Sequence, residues 1–234
     1  MIKISTGIEG LDRMLKGGLI RGRTYLVKGR PGAGKTILSI QFLLEGLRKG
    51  EEVMFVSLTE DVAEIRENME ELGLDVSGIE FVDASPTGDR TIFGDLFFTS
   101  FEVDTQGFKS MLEAKFDKSV PNRLVIDPIS MLRASAKSDV EYKRDLLLLI
   151  GLLRKHGVTT LLTSDVYENG MEDYLVSGVI ELHVMDVRGK IVRGMRVSKM
   201  RGSDFDEVMR PYRIVRGGIV VYDDLNIFED VMRK

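Results

Sequence analysis

The chain has 234 residues, 43% apolar and 30% charged, enough apolar content to bury a core; at roughly 100–200 residues per domain we read it as one domain spanning 1–234. It contains no cysteine, which excludes disulfide scaffolds, thiolate zinc sites and cysteine nucleophiles. A formal net charge of -4 argues against a protein that constitutively coats a polyanion, and without a run of about 18–20 apolar residues or an apolar leader at Met1–Ser5 we expect a soluble, cytoplasmic protein with no membrane partner.

The first element is a short buried strand, Thr24 to Lys28, followed across a Gly-rich turn by a helix from Lys35 to Arg48 whose apolar residues include Ile37, Leu38, Ile40, Phe42, Leu43 and Leu44. Val53 to Leu58 reads as a second strand. From about Asp61, Val62, Ile65, Met69 and Leu72 fall at helical spacing until Gly73 stops the helix. Ile79 to Val82 is a strand, Gly107 to Phe116 a helix, Leu124 to Ile126 a strand, Val140 to Lys155 a helix and Thr159 to Leu162 a strand. Such alternation predicts an α/β fold with a mostly parallel sheet covered by helices on both faces and ligands at the carboxyl ends of its strands. After Gly178 the pattern changes. Val179 to Val187, the turn Arg188-Gly189-Lys190 and Ile191 to Met200 read as a β-hairpin, with Tyr212 to Val215 and Ile219 to Tyr222 as a second, placed as an antiparallel extension at one sheet edge.

The turn after the first strand, Gly29-Arg30-Pro31-Gly32-Ala33-Gly34-Lys35-Thr36, fits G-x-x-x-x-G-K-[ST] between a buried strand and an apolar helix. Glycines let successive backbone N–H groups converge on phosphate oxygens, and the helix presents its positive end. Lys35 can reach the outer phosphates, and Thr36 can offer a hydroxyl to Mg²⁺. Residues 29–36 and the adjoining Ile37 are therefore the candidate nucleotide-binding segment. Leu124-Val125-Ile126-Asp127 ends an apolar strand in a carboxylate suited to a Mg²⁺-bound water beside Thr36; the competing reading of Asp127, with Pro128 after it, is a helix N-cap.

Further motifs extend the pattern. Ser5-Thr6-Gly7-Ile8-Glu9-Gly10-Leu11-Asp12, then Gly17-Gly18-Leu19 and Gly22-Arg23-Thr24, precede the loop; Val125-Ile126-Asp127-Pro128-Ile129-Ser130 and Lys199-Met200-Arg201-Gly202-Ser203 follow it. From about Ser5 to Tyr222 the chain resembles the RecA/RadA/KaiC family of P-loop ATPases, most of all single KaiC-type domains, with Lys199 to Ser203 matching their K-x-R-G-[ST] signature. The resemblance implies a RecA-like sheet, ATP and Mg²⁺ as ligands, and a homo-oligomeric ring, expected to be a hexamer, in which Lys199 and Arg201 reach the phosphates bound by the neighbouring subunit. It implies that Thr160 to Asp165 carries a polar residue sensing the γ-phosphate, with Ser164 and Asp165 as candidates. In the family a glutamate beyond the second strand positions the attacking water and is the first of a Glu-Glu pair in KaiC-type domains. This chain departs there: Thr59 holds the first position and Glu60 the second, so Glu60 is the candidate catalytic carboxylate and hydrolysis is expected to be slow. The competing reading of Glu60 and Asp61 is favourable charge at a helix N-terminus.

The leading expectation is thus a P-loop ATPase that binds Mg-ATP and hydrolyses it slowly to control assembly or a partner, with Glu60, Lys35, Arg201 and Lys199 as catalytic candidates. One alternative is a RadA-paralogue accessory protein that binds single-stranded DNA in recombination or repair, another a nucleotide-gated scaffold with negligible hydrolysis. Single-stranded DNA is disfavoured, because Asp165, Glu168, Glu172 and Asp173 occupy a stretch without Lys or Arg between Lys155 and Arg188. Arg133, Lys137, Lys143 and Arg144 are interspersed with Asp139 and Glu141, as on a solvated helix start. Phe93, Phe97, Phe98 and Phe101 within Thr91 to Val103 could stack on bases but read better as core or subunit contact. His156 and His183 read as a helix-end dipole partner and a packed strand residue.

Overall fold

The structure is a computed structural model that describes residues 1–85, 105–165 and 170–231. The aromatic stretch Phe93 to Phe101 and Glu168 lie outside the described residues. Among the described residues no helix is long and apolar enough to cross a membrane.

Strand β3 (Thr24–Gly29) is buried along its whole length and enters helix α2 (Lys35–Arg48) through the Gly-rich loop. Around it stand β4 (Val53–Ser57), β5 (Glu80–Asp83), β6 (Arg123–Asp127) and β7 (Thr159–Ser164), all parallel, with β8 (Gly178–Val187) parallel on the other side. Strands β9 (Lys190–Met200), β10 (Arg210–Val215) and β11 (Gly218–Val221) continue antiparallel from β8, giving the order β11-β10-β9-β8-β3-β7-β6-β4-β5. The expected α/β architecture with an antiparallel extension at one edge is therefore the observed one.

Pleating sorts the strand residues between two layers. Val27, Phe55, Val125 and Leu161 face α2, whereas Leu26, Met54, Leu124 and Leu162 face α4 (Thr105–Phe116) and α6 (Asp139–Lys155). This parity decides which side chain at each strand end reaches the loop.

Three differences from the predicted elements have local causes. Arg188 and Gly189 both adopt positive φ, 54° and 77°, so the hairpin turns on two residues and Lys190 already pairs with Val187. The predicted second strand ends at Ser57, one residue early, where its pairing with β6 stops at Asp127, whose carbonyl accepts the last bond, from Leu58 N. Short helices α1 (Glu9–Met14), α5 (Met131–Ala134) and α7 (Met171–Leu175), together with a two-strand sheet of β1 (Lys3–Ile4) and β2 (Leu19–Ile20), are too short to show a period.

The lead-in motif folds on itself. Thr6 donates from both its amide and its hydroxyl to Asp12 Oδ1 at 2.7 Å, and Ser5 Oγ donates to Asp12 Oδ2 at 2.6 Å. At Gly18, φ is +102° and a Cβ would stand 2.1 Å from the Ile4 carbonyl, so no other residue fits where β1 meets β2. Arg123, 1% exposed, ties the motif to the sheet by donating from Nη1 to the carbonyls of Ser5 and Phe42 at 2.8 Å while Nε bonds Glu51.

A second charged network lies at the β3–β8 boundary. Lys28, 3% exposed, pairs with Asp173 of α7 at 2.6 Å and with Glu181 of β8 at 3.4 Å, and His183 Nε2 meets Glu181 at 3.1 Å. The His183 hydrogen bond, with help from Ser198 and Lys28, holds the Glu181 carboxyl down at about 2. Because its folded pKa lies below the ordinary 4.5, its stabilisation is present above that value and lost as pH falls toward about 2. Denaturant midpoints at pH 7 and pH 3 should therefore fall together less steeply in Glu181→Gln than in the wild type; an unchanged pH dependence would show that Glu181 is not the group responsible.

Candidate functional site

At the carboxyl ends of β3, β4, β6 and β7 a cleft of about 640 Å³ opens beside the loop, lined by Lys35, Thr36, Thr59, Glu60, Asp127 and Asp165 on its polar side and by Ile37, Met69, Leu72 and Ile214 on its apolar side. The predicted binding segment, residues 29–37, forms the turn and first turn of α2. Gly32 has φ +78° although a Cβ there would meet nothing, so its role is backbone conformation rather than space. The α2 N-terminus, at Gly34, carries no side-chain cap, and Tyr212 steadies the loop by donating to the Ala33 carbonyl at 2.6 Å. Lys35 folds back on this loop: Nζ donates to the Gly29 carbonyl at 2.9 Å and forms an ion pair with Asp165.

Thr36 Oγ1 donates to Asp127 Oδ2 at 2.7 Å, and Thr163 donates to Asp127 Oδ1. Asp127 is therefore not an N-cap; the short helix α5 begins after Ser130, and Asp127 instead faces the loop. Desolvation raises its carboxyl above the ordinary range, opposed by the hydrogen bonds from Thr163 and Thr36 and by the charge of Lys35.

Glu60 and Asp61 take different parts. Asp61 caps α3 (Val62–Glu71), accepting from Ala63 N at 2.6 Å, whereas Glu60 stands in the cleft with its backbone carbonyl held by Ser57 Oγ at 2.6 Å. Burial raises the Glu60 carboxyl, and the nearby charges of Asp127 and Glu64 raise it further.

Of the two sensing candidates, the fold brings only Asp165 to the loop. Ser164 is 1% exposed and lies on the opposite pleat from Thr163, facing the other layer of the sheet. Thr163, on the loop-facing pleat, is a residue the sequence does not single out, because Thr-Thr-Leu-Leu-Thr-Ser does not show which hydroxyl faces which layer until the strand's partners are known.

Lys199 and Arg201 are not at the loop of their own chain. Lys199 pairs with Val179 near the start of β8, and Arg201 N donates to the Ser177 carbonyl, beside the first residue of β3. The loop leaves the far end of β3, five residues on, or roughly 16 Å at about 3.3 Å per residue. Their side chains converge on consecutive carbonyls of α7, Lys199 Nζ on Asp173 and Arg201 Nη2 on Tyr174 at 2.8 Å. Burial, then the charge of Arg201, lowers the Lys199 ammonium below its usual range.

The remaining candidates are away from the cleft. Arg133 pairs with Asp139 at 2.9 Å and Arg144 with Asp145 at 3.0 Å, as on a solvated helix start. His156 ends α6 against the Phe116 ring, and His183 pairs with Glu181.

Residues 4–226 match the family described as KaiC ATPase. The chain is 32% identical to circadian clock protein KaiC3 of a Synechocystis species over 94% of its own length and 45% of that protein's, so it spans under half of that relative. It is also 32% identical to UPF0273 proteins of Aeropyrum pernix and Thermotoga maritima, covering 95% of its own length in each case and 94% and 97% of theirs.

Proposed function

The chain belongs to the KaiC ATPase family, and from that premise we propose that it binds ATP at residues 29–37 and hydrolyses it slowly at a site completed by a neighbouring copy of the chain. The observation that carries the reading is the hydrogen bond from Thr36 to Asp127, which joins the loop to a strand end 91 residues away, beside Lys35.

Backbone amides of the loop and the uncapped start of α2 would take the phosphates, with Lys35 leaving Asp165 for their outer oxygens. Thr36 and Asp127 fit Mg²⁺, since both donors are hard oxygens and the buried carboxylate, its pKa raised by desolvation, favours a compensating cation. When bound, that ion would neutralise charge on the transferring phosphate. Ile214 and Met69, on the apolar wall, would cover the base. Glu60 would accept a hydrogen bond from the attacking water, and Lys199 and Arg201 of a second copy would meet the phosphates across a subunit boundary. Nucleotide state would then bear directly on subunit contacts, in a homo-oligomer for which a hexameric ring is the proposed form.

Titration calorimetry with ATP, with and without Mg²⁺, tests the ligand assignment. Lys35→Ala should bind ATP at least tenfold more weakly. Asp127→Asn should lose the Mg²⁺-dependent part of the affinity, a factor of roughly ten or more for one charge-assisted contact. Wild-type affinity in Lys35→Ala would overturn the placement of ATP in this cleft.

A further inference from the structure

Two cations that serve a neighbour must be held still within their own subunit. In this chain α7 does the holding, although it is only five residues long. It is fastened by two contacts, one buried and one part-buried: Tyr142 of α6 donates to Glu172 Oε1 at 2.8 Å, and Lys28 pairs with the Asp173 carboxylate at 2.6 Å. Its backbone offers the carbonyls of Asp173 and Tyr174, one residue apart, and these receive Lys199 and Arg201. Arg23 completes the arrangement, donating from Nη1 to the Arg201 carbonyl at 2.7 Å. The side chain and the carbonyl of one residue, Asp173, thus meet different cations: Lys28, which directly precedes Gly29 of the loop, and Lys199.

We propose that Asp173 is a positioning residue for the site of the neighbouring subunit: by locking α7 to Lys28, it sets the carbonyls on which Lys199 and Arg201 are aimed outward. The inference rests on the in-trans reading above. Lysine and arginine side chains carry much rotamer freedom, so two of them meet one phosphate group in a fixed geometry only if something limits their wandering. A carbonyl for each, on a helix pinned by an ion pair to the buried Lys28, supplies that limit. The carboxylate of Asp173 touches no ligand in this scheme; it acts through the helix.

The test uses two chains in one assembly. A Lys35→Ala chain keeps its finger but has no working loop, and an Arg201→Ala chain keeps its loop but has no finger, so after subunit exchange turnover comes from interfaces between the two. Asp173→Ala placed in the Lys35→Ala chain should lower that turnover roughly ten- to hundredfold, the cost typical of a misplaced contact group. Placed in the Arg201→Ala chain, whose finger is already lost, it should add nothing further. Asp173→Asn, which keeps an acceptor oxygen for Lys28, should restore most of the loss, and Asp173→Ala alone should bind ATP as the wild type does. Lys28→Met, a second way to release α7, should repeat the finger-side loss. An effect confined to the Arg201→Ala chain, an equal effect in both chains or no effect in either would overturn the role of Asp173 while leaving the in-trans reading intact. Failure of the two parent chains to complement each other, despite demonstrated exchange, would overturn both.

Discussion

Lys35→Ala subunits and Arg201→Ala subunits, each inactive alone, should recover activity when mixed under conditions of subunit exchange. The expectation follows from where the chain places the two groups. Lys35 lies in the cleft at the carboxyl end of β3, whereas Arg201 follows β9 beside the amino end of the same strand. A guanidinium on a flexible stem does not bridge the length of a packed strand in its own subunit, but a ring brings one face of each subunit against a different face of the next. In an equal mixture about a quarter of the interfaces pair an intact loop with an intact finger, so steady-state phosphate release should return to about that fraction of the wild-type rate. A finger supplied in this way is worth on the order of 10³–10⁵ in rate in phosphoryl-transfer enzymes, which makes the parent chains effectively silent and the recovery easy to read. If light scattering shows assembled, exchanging oligomers and the mixture stays silent, Arg201 acts within its own chain or not at all.

The parts of this site that could be read from the sequence are those whose chemistry is local. Gly29 to Thr36 needs a strand before it and a helix after it, and both announce themselves by apolar patterning. The hairpin around Gly189 is marked by its turn residues, though not the exact length of the turn, and Asp127 ends an apolar run as a strand-terminal carboxylate. What escaped depends on partners far away in the chain. Whether Thr163 or Ser164 faces the loop is a matter of pleat parity, fixed only when β7 pairs with β3 and β6. Asp61 and Glu60 are adjacent acids with equal claim to a helix N-terminus, and they separate only because Asp61 turns back to Ala63 while Glu60 remains at the cleft wall. Helix α7 shows no period, and the pairing of Asp173 with Lys28 joins positions 145 residues apart. Acidity in that stretch, taken from the sequence as repulsion toward DNA, is in part structural: Glu172 is 1% exposed and bonded to Tyr142, and Asp173 is paired.

Glu60→Gln should abolish hydrolysis while leaving ATP affinity unchanged, and Thr59→Glu should raise turnover above the wild type. In phosphoryl transfer the protein does little covalent chemistry, so orienting the attacking water is one of the few tasks left to a side chain, and a positioned acid–base group is worth roughly 10²–10⁴ in rate. Thr59 and Glu60 both line the cleft, but only Glu60 carries a carboxylate, and it sits among the like charges of Asp127 and Glu64. Burial first, and then those charges, raise its pKa above the ordinary 4.5, so it takes up a proton at higher pH than an exposed glutamate would. The acceptor for water is the ionised form; activity should therefore rise with pH through the Glu60 pKa and disappear below it, at saturating ATP. Glu60→Gln should remove that limb together with the rate. A second carboxylate at position 59 would stand next to this one and raise the pKa of the pair further, so the gain in Thr59→Glu should appear mainly on the alkaline side of the profile. Should Glu60→Gln keep a wild-type rate and an unchanged acid limb, the group that positions water is not Glu60, and Asp165, the carboxylate paired with Lys35 in the same cleft, becomes the residue to replace.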